Sequence, residues 1–182
     1  MDARLVPDIS LKYPCAAYRA QFLEMVGEFQ AAGEDWPHGA YSQDRRALDD
    51  FERYVREVDE HARGVNLPAG QVPNTTFWLL AGELIVGTLS LRHTLNDYLE
   101  YEGGHIGFCI RPSQRRRGYM TRFLRLALDE ARKLGLVRVL ISCENTNLAS
   151  AGVIRTCGGE LDDERVSRRH AGEIVQRYWV AL

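Results

Sequence analysis

Apolar residues first recur at helical spacing between Ala16 and Gln30. Tyr18, Phe22, Met25, Val26 and Phe29 there fall on one face of a 3.6-residue repeat. Ahead of them, "RLVPDI" reads as a short strand. A second helical stripe, Leu48, Phe51, Val55, Val58 and Ala62, follows the N-cap candidate Ser42 and ends at Gly64. The loop "VNLPAGQVPN" separates it from two apolar runs, "TTFWLLA" and "LIVGTLSLRH", joined by Gly82-Glu83 as a hairpin. "TLNDYLEYEGG" reads as an acidic loop and "HIGFCI" as a strand. Met120, Phe123, Leu124, Ala127, Ala131 and Leu134 predict a helix stopped by Gly135. The strand "VRVLIS", the helix "NLASAGVIRTC" closed by Gly158-Gly159, and a final pair "ELDDERV" and "EIVQRYWVAL" complete the pattern. Strand, two helices, three strands, helix, strand, helix and two strands describe a mixed α/β sheet around a strand–turn–helix–strand unit.

The length of 182 residues fits one domain over 1–182 with room for a full core. A hydrophobic fraction of 45% with 26% charged residues is ordinary for a globular protein. The chain has no apolar run long enough for a membrane helix, and "MDARLVPDIS" lacks the pattern of a signal peptide, so a cytoplasmic location is expected. Cys15, Cys109, Cys143 and Cys157 form no CxxC pair and have no histidine at ligand spacing. Free thiols are expected, and no metal. A net charge of −2 disfavours a general nucleic-acid binder.

Against that slightly acidic background, "IRPSQRRRGYM" (110–120) concentrates three arginines and a glycine where a strand turns into a helix. Cations at a helix N-terminus oppose the dipole, so a purely structural turn would favour Asp or Glu. Unpaired backbone N–H groups, the dipole and guanidinium donors together make a site for phosphate. Gly118 leaves no side chain between backbone and ligand. Neither a Walker P-loop nor a GxGxxG fingerprint is present.

The stretch "IRPSQRRRGYMTRFL" resembles the acetyl-CoA-binding motif of the GNAT (GCN5-related N-acetyltransferase) superfamily, with Arg115, Gly118 and Met120 at its defining positions. Met120 replaces the family's Gly or Ala. "NLASAGVIRTCGG" resembles the family's second signature through Asn147 and Gly158, one helix and one strand further on. The likeness covers residues 74–182 by motif and the N-terminal helices by order.

The resemblance implies a mostly antiparallel central sheet flanked by helices and splayed at its central strands. It implies acetyl-CoA as co-substrate and a primary amine of a small molecule or peptide as acceptor, attacked directly. Pantetheine would pair with the backbone of Phe108, Cys109 and Ile110. The pyrophosphate would sit on Arg115, Arg116, Arg117, Gly118, Tyr119 and Met120. Asn147 and Ser150 would bind the pantetheine arm. The thiolate-protonating tyrosine of many members is Ile154 here. His105 and Glu102 are candidate bases, with Glu144 next, and each could equally be a surface or hydrogen-bonding residue. His93 could contact substrate or close a loop. An acetyl-cysteine intermediate on Cys109 or Cys143 is conceivable, though family chemistry is direct. Asp97, Glu100 and Glu102 near the expected thioester would attract a cationic amine. A homodimer is a further expectation from the resemblance. The missing tyrosine leaves a non-catalytic acyl-CoA-binding regulatory module as the alternative function.

Overall fold

The computed structural model describes residues 7–34 and 50–182. The strands are β1 (Ile9–Lys12), β2 (Asn74–Ala81), β3 (Leu84–Arg92), β4 (Ile106–Ile110), β5 (Arg138–Glu144), β6 (Gly159–Val166) and β7 (Ile174–Ala181). The helices are α1 (Arg19–Ala31), α2 (Phe51–Ala62), α3 (Asp97–Tyr101), α4 (Tyr119–Lys133) and α5 (Leu148–Thr156). Two antiparallel sheets form, in strand order β1-β2-β3-β4 and β5-β7-β6.

β2 is buried along its whole length because both of its faces are covered. The two-residue period of a strand sends Phe77, Leu79 and Ala81 to one side and Trp78 and Leu80 to the other. On the first side lie α4 and α5, through Phe123, Leu124, Ala127, Ala151 and Ile154. On the second, α1 and α2 bring Phe22, Met25, Val26, Phe29, Phe51 and Tyr54 around Trp78, whose ring stacks 5.2 Å from Phe22. The core is therefore two apolar layers on one sheet.

No strand ladder joins β4 to β5 among the described residues. The two sheets touch where the chain enters β4: Gly104 bridges Ile141, and the His105 N–H donates to the Leu140 carbonyl at 2.6 Å. Gly104 has φ +64, and a Cβ there would collide with the Leu140 carbonyl. Only glycine combines that dihedral with that approach. Beyond this pinch β4 and β5 part.

Several expected boundaries move. The first strand lies at Ile9–Lys12, just past Pro7, and residues 4–6 are outside the described residues. Ser42 and Leu48 are also outside them. The second helix begins at Phe51, with the Asp50 carboxylate accepting from the Arg53 N–H at 3.0 Å. The acidic loop contains α3, because the Asn96 side chain caps the Leu99 N–H and Leu99 is buried. α4 ends at Lys133, and Leu134 is exposed, its place in the stripe taken by Leu128.

Candidate active site

Two clefts open on the parted strands. The larger, about 580 Å³, runs along Phe108, Cys109 and Ile110, past residues 114–121, to Asn147, Ser150 and Val153. The smaller, about 190 Å³, is walled by Arg92, Glu102, Ser142, Cys143, Glu144, Arg169 and His170. Phe108, Asn147 and Ser150 border both, so the clefts meet there.

The backbone of β4 is divided between the ladder and the gap. The Arg111 N–H bonds the Val86 carbonyl and the Arg92 N–H bonds the His105 carbonyl, in the register that pairs Thr88 with Cys109. In an antiparallel ladder, hydrogen-bonded pairs alternate with pairs whose polar groups face away. Cys109 therefore spends its backbone groups on β3, while those of Ile106, Phe108 and Ile110 face the gap. The Ile110 carbonyl is taken by the Arg115 Nε at 3.0 Å, which leaves its N–H. Gly87 lets β3 approach: a Cβ there would collide with the Cys109 carbonyl.

After β4 the chain makes a 3₁₀ turn over Pro112–Gln114. Arg116 (φ 63) and Gly118 (φ 73) are both left-handed, separated by Arg117. Among the described residues no protein acceptor meets the N–H groups of residues 116–118. They precede the first turn of α4, whose own N–H groups lack intrahelical partners. The result is an anion cradle at a helix N-terminus. Arg116 and Arg117 are exposed beside it, while Tyr119 and Met120 bury their side chains in the core. Met120 thus replaces a small residue without filling the cradle. Arg115 is engaged elsewhere, paired with both Glu34 oxygens at 2.6 Å.

The turn is tied to α1. The Arg111 guanidinium, almost wholly buried, donates to Glu28 and, at 3.1 Å, to the Ile85 carbonyl. Glu28 also accepts from the Ser113 N–H and hydroxyl at 3.1 and 3.0 Å. The Arg111 hydrogen bond lowers the Glu28 carboxyl to about 2.

Asn147 caps α5, its Oδ1 accepting from the Ser150 N–H at 3.0 Å, which turns its amide N–H groups outward. Ile154 does not reach the cleft. It is fully buried against the sheet, and the absence of a Cβ on Gly159 gives it room. Val153 borders the cleft instead.

The two expected bases behave differently. His105 is buried, and its Nδ1 accepts the Leu140 N–H at 2.9 Å. Burial, with Arg92 and Arg138 nearby, pushes its pKa down to about 4. A neutral imidazole has one acceptor nitrogen, and that one is occupied. In this position the His105 ring braces the pinch between β4 and β5. Glu102 does line the smaller cleft, but it is 6% exposed and accepts from the Ser167 hydroxyl and the Arg168 N–H, both at 2.8 Å. Asp97 and Glu100 are exposed on α3, outside both clefts. His93 closes the end of the β2–β3 hairpin, its Nε2 at 2.8 Å from the Thr75 hydroxyl and its N–H on the Pro73 carbonyl. Burial pushes the Cys143 thiol up to about 11, which makes it a poor nucleophile at neutral pH. The β6–β7 loop, with His170 in the cleft wall, had no signal in the sequence: its residues come from far along the chain.

The family profile of the acetyltransferase (GNAT) domain matches residues 22–160. The chain belongs to the GNAT acetyltransferase family. Solved structures agree on the fold. The microcin C7 self-immunity acetyltransferase MccE, in complex with acetyl-CoA and AMP, is 14% identical with TM-score 0.70, covering 96% of this chain and 93% of that one. RimL, the ribosomal L7/L12 alpha-N-protein acetyltransferase, is 18% identical with TM-score 0.66, covering 96% and 90%. YncA from Salmonella typhimurium, a putative acetyltransferase with its cofactor acetyl-CoA, is 15% identical with TM-score 0.62, covering 96% and 94%. No curated protein sequence matches the chain.

Proposed function

We propose that this GNAT acetyltransferase uses acetyl-CoA to acetylate a primary amine, with the whole chain working as one unit. The observation that carries the reading is the continuity of the anion cradle at residues 116–120 with the β4–β5 gap. Pyrophosphate fits the cradle, with Arg116 and Arg117 supplying charge and Arg115 held beside it by Glu34. Pantetheine runs along β4 as an added strand, using the gap-facing N–H of Ile110 and the amide of Asn147. The thioester comes to rest where the clefts meet, and the Phe108 N–H polarises its carbonyl. Ser150 borders the same point. The smaller cleft receives the acceptor, and amine nitrogen attacks the thioester directly. MccE and YncA, which share the fold, carry acetyl-CoA in their structures.

No helix among the described residues is long and apolar enough to cross a membrane. No disulfide joins the four cysteines, and a reducing cytoplasm suits them. Isothermal titration with acetyl-CoA tests the reading. One-to-one binding that weakens in Gly118→Ala is the expected result. No binding at millimolar acetyl-CoA overturns it, and binding without transfer to any amine returns the regulatory-module alternative.

A further inference from the structure

Opposite the cradle, the smaller cleft is closed by the β6–β7 loop, residues 167–173, "SRRHAGE". The loop is tightly built. The Ser167 N–H bonds the Glu173 carbonyl at 2.9 Å and the Glu173 N–H bonds the His170 carbonyl at 3.2 Å. The Ser167 hydroxyl accepts from the N–H groups of Arg169 and His170 at 3.1 and 3.0 Å, while donating to Glu102. Glu102 thus fixes, from beneath, the backbone that carries His170. Side-chain atoms of His170, Glu144 and Glu173 all lie within 4.8 Å of one another. Glu144 and His170 stand in the cleft wall with Phe108 and Asn147.

Resting on the acetyltransferase reading, we propose that His170 is the general base of the transfer, that Glu144 and Glu173 bind the acceptor as an ammonium ion, and that Glu102 is a positioning residue. His170 is exposed. Unlike His105, its ring accepts no hydrogen bond from a protein N–H among the described residues. The cleft volume of about 190 Å³ equals roughly six waters at 30 Å³ each. It admits the amine end of the acceptor with a short stem, and the remainder lies outside. In the step, an ammonium proton passes to His170. The nitrogen lone pair forms the C–N bond with the thioester carbonyl carbon, and the C–S bond breaks. The second proton lost by nitrogen goes to the thiolate, giving free CoA, and His170 releases its proton to water.

The test uses the full chain with His170→Ala and His170→Gln, spermidine and an uncharged-side-chain tripeptide amide as amine probes, and thiol release as readout. Positioned general bases contribute about 10²–10⁴-fold. With the better probe, both variants should lose about a hundredfold or more in kcat while acetyl-CoA affinity and melting temperature stay at wild-type values. The acid limb of the wild-type pH–rate profile should disappear, and added imidazole should restore part of the rate to His170→Ala. Groups that face His170 and shape that limb are Glu144 from β5, Glu173 and Arg169 from its own loop, and Arg92, Glu102 and Cys143 across the cleft. Glu144→Gln should raise KM for spermidine more than it lowers kcat. A loss under tenfold, or an unchanged pH profile, overturns the assignment. So does activity abolished by a chelator and restored by a divalent cation, since the cluster would then hold a metal. Wild-type protein that binds no acetyl-CoA would instead sink the underlying acetyltransferase reading.

Discussion

Glu28 on α1 should matter to both stability and cofactor binding, although it touches neither cleft. Glu28→Ala removes the carboxylate that pairs with Arg111 and receives both Ser113 donors. Removing one partner of a fully buried pair costs about 3–5 kcal/mol, mostly because the other charge is left unpaired; here Arg111 is buried while Glu28 is 26% exposed. Arg111 keeps the Ile85 carbonyl and a 3.5 Å contact with Glu24, so the lower end, about 3 kcal/mol, applies. For a chain of this size that corresponds to a fall in Tm of roughly 6–12 °C. Glu28→Gln keeps an acceptor oxygen and should lose about half as much. Glu28 sits at about 2 rather than the ordinary 4.5. The unfolded chain therefore binds more protons, and the stabilisation is complete above about pH 4.5 and fades as pH falls toward 2. Thermal unfolding by circular dichroism at stepped pH should show the gap between wild type and Glu28→Ala closing over that window. Acetyl-CoA affinity at neutral pH should fall too, because the turn before the cradle loses its anchor. A Glu28→Ala protein within about 1 kcal/mol of wild type at pH 7 would mean that Glu28 does not anchor the turn.

Acetyl-CoA at about a hundred times its Kd should stabilise the wild type by roughly 2.7 kcal/mol, read as a rise in Tm. Gly118→Ala should cost about 1 kcal/mol of stability, because φ 73 disfavours a Cβ, and a larger loss of acetyl-CoA affinity by titration calorimetry; equal affinity would move the pyrophosphate elsewhere. Ile154→Tyr should destabilise by about 1–3 kcal/mol through overpacking, measured by urea unfolding, with no gain in turnover, since position 154 faces the core.

The sheet-forming runs were legible because each carries its own period and turn residues. β2 and β3 announce themselves in "TTFWLLAGELIVGTL", and α4 in its apolar stripe. The cradle was legible for the same reason, since strand, turn, arginines and glycine are contiguous. Within it, sequence could not separate Cys109 from Phe108 and Ile110, because which amides face the gap depends on the register with β3. It could not see Arg115 paired to Glu34, a contact spanning 81 residues. Nor could it see that the His105 ring accepts the Leu140 N–H, a contact spanning 35 residues. The same holds for the acidic loop: Glu102 lines the smaller cleft while holding Ser167, and Glu144 joins it there from another element.

Transfer of an acetyl group from CoA to an amine is the reaction proposed for the joined clefts. Its most direct measurement is mass spectrometry of amine probes incubated with protein and acetyl-CoA, run beside a thiol-release assay. One acetyl group should be gained by a cationic amine for each CoA thiol released, with both signals falling together in Gly118→Ala; CoA binding with no acetylated amine at any pH from 6 to 9 is the contrary result.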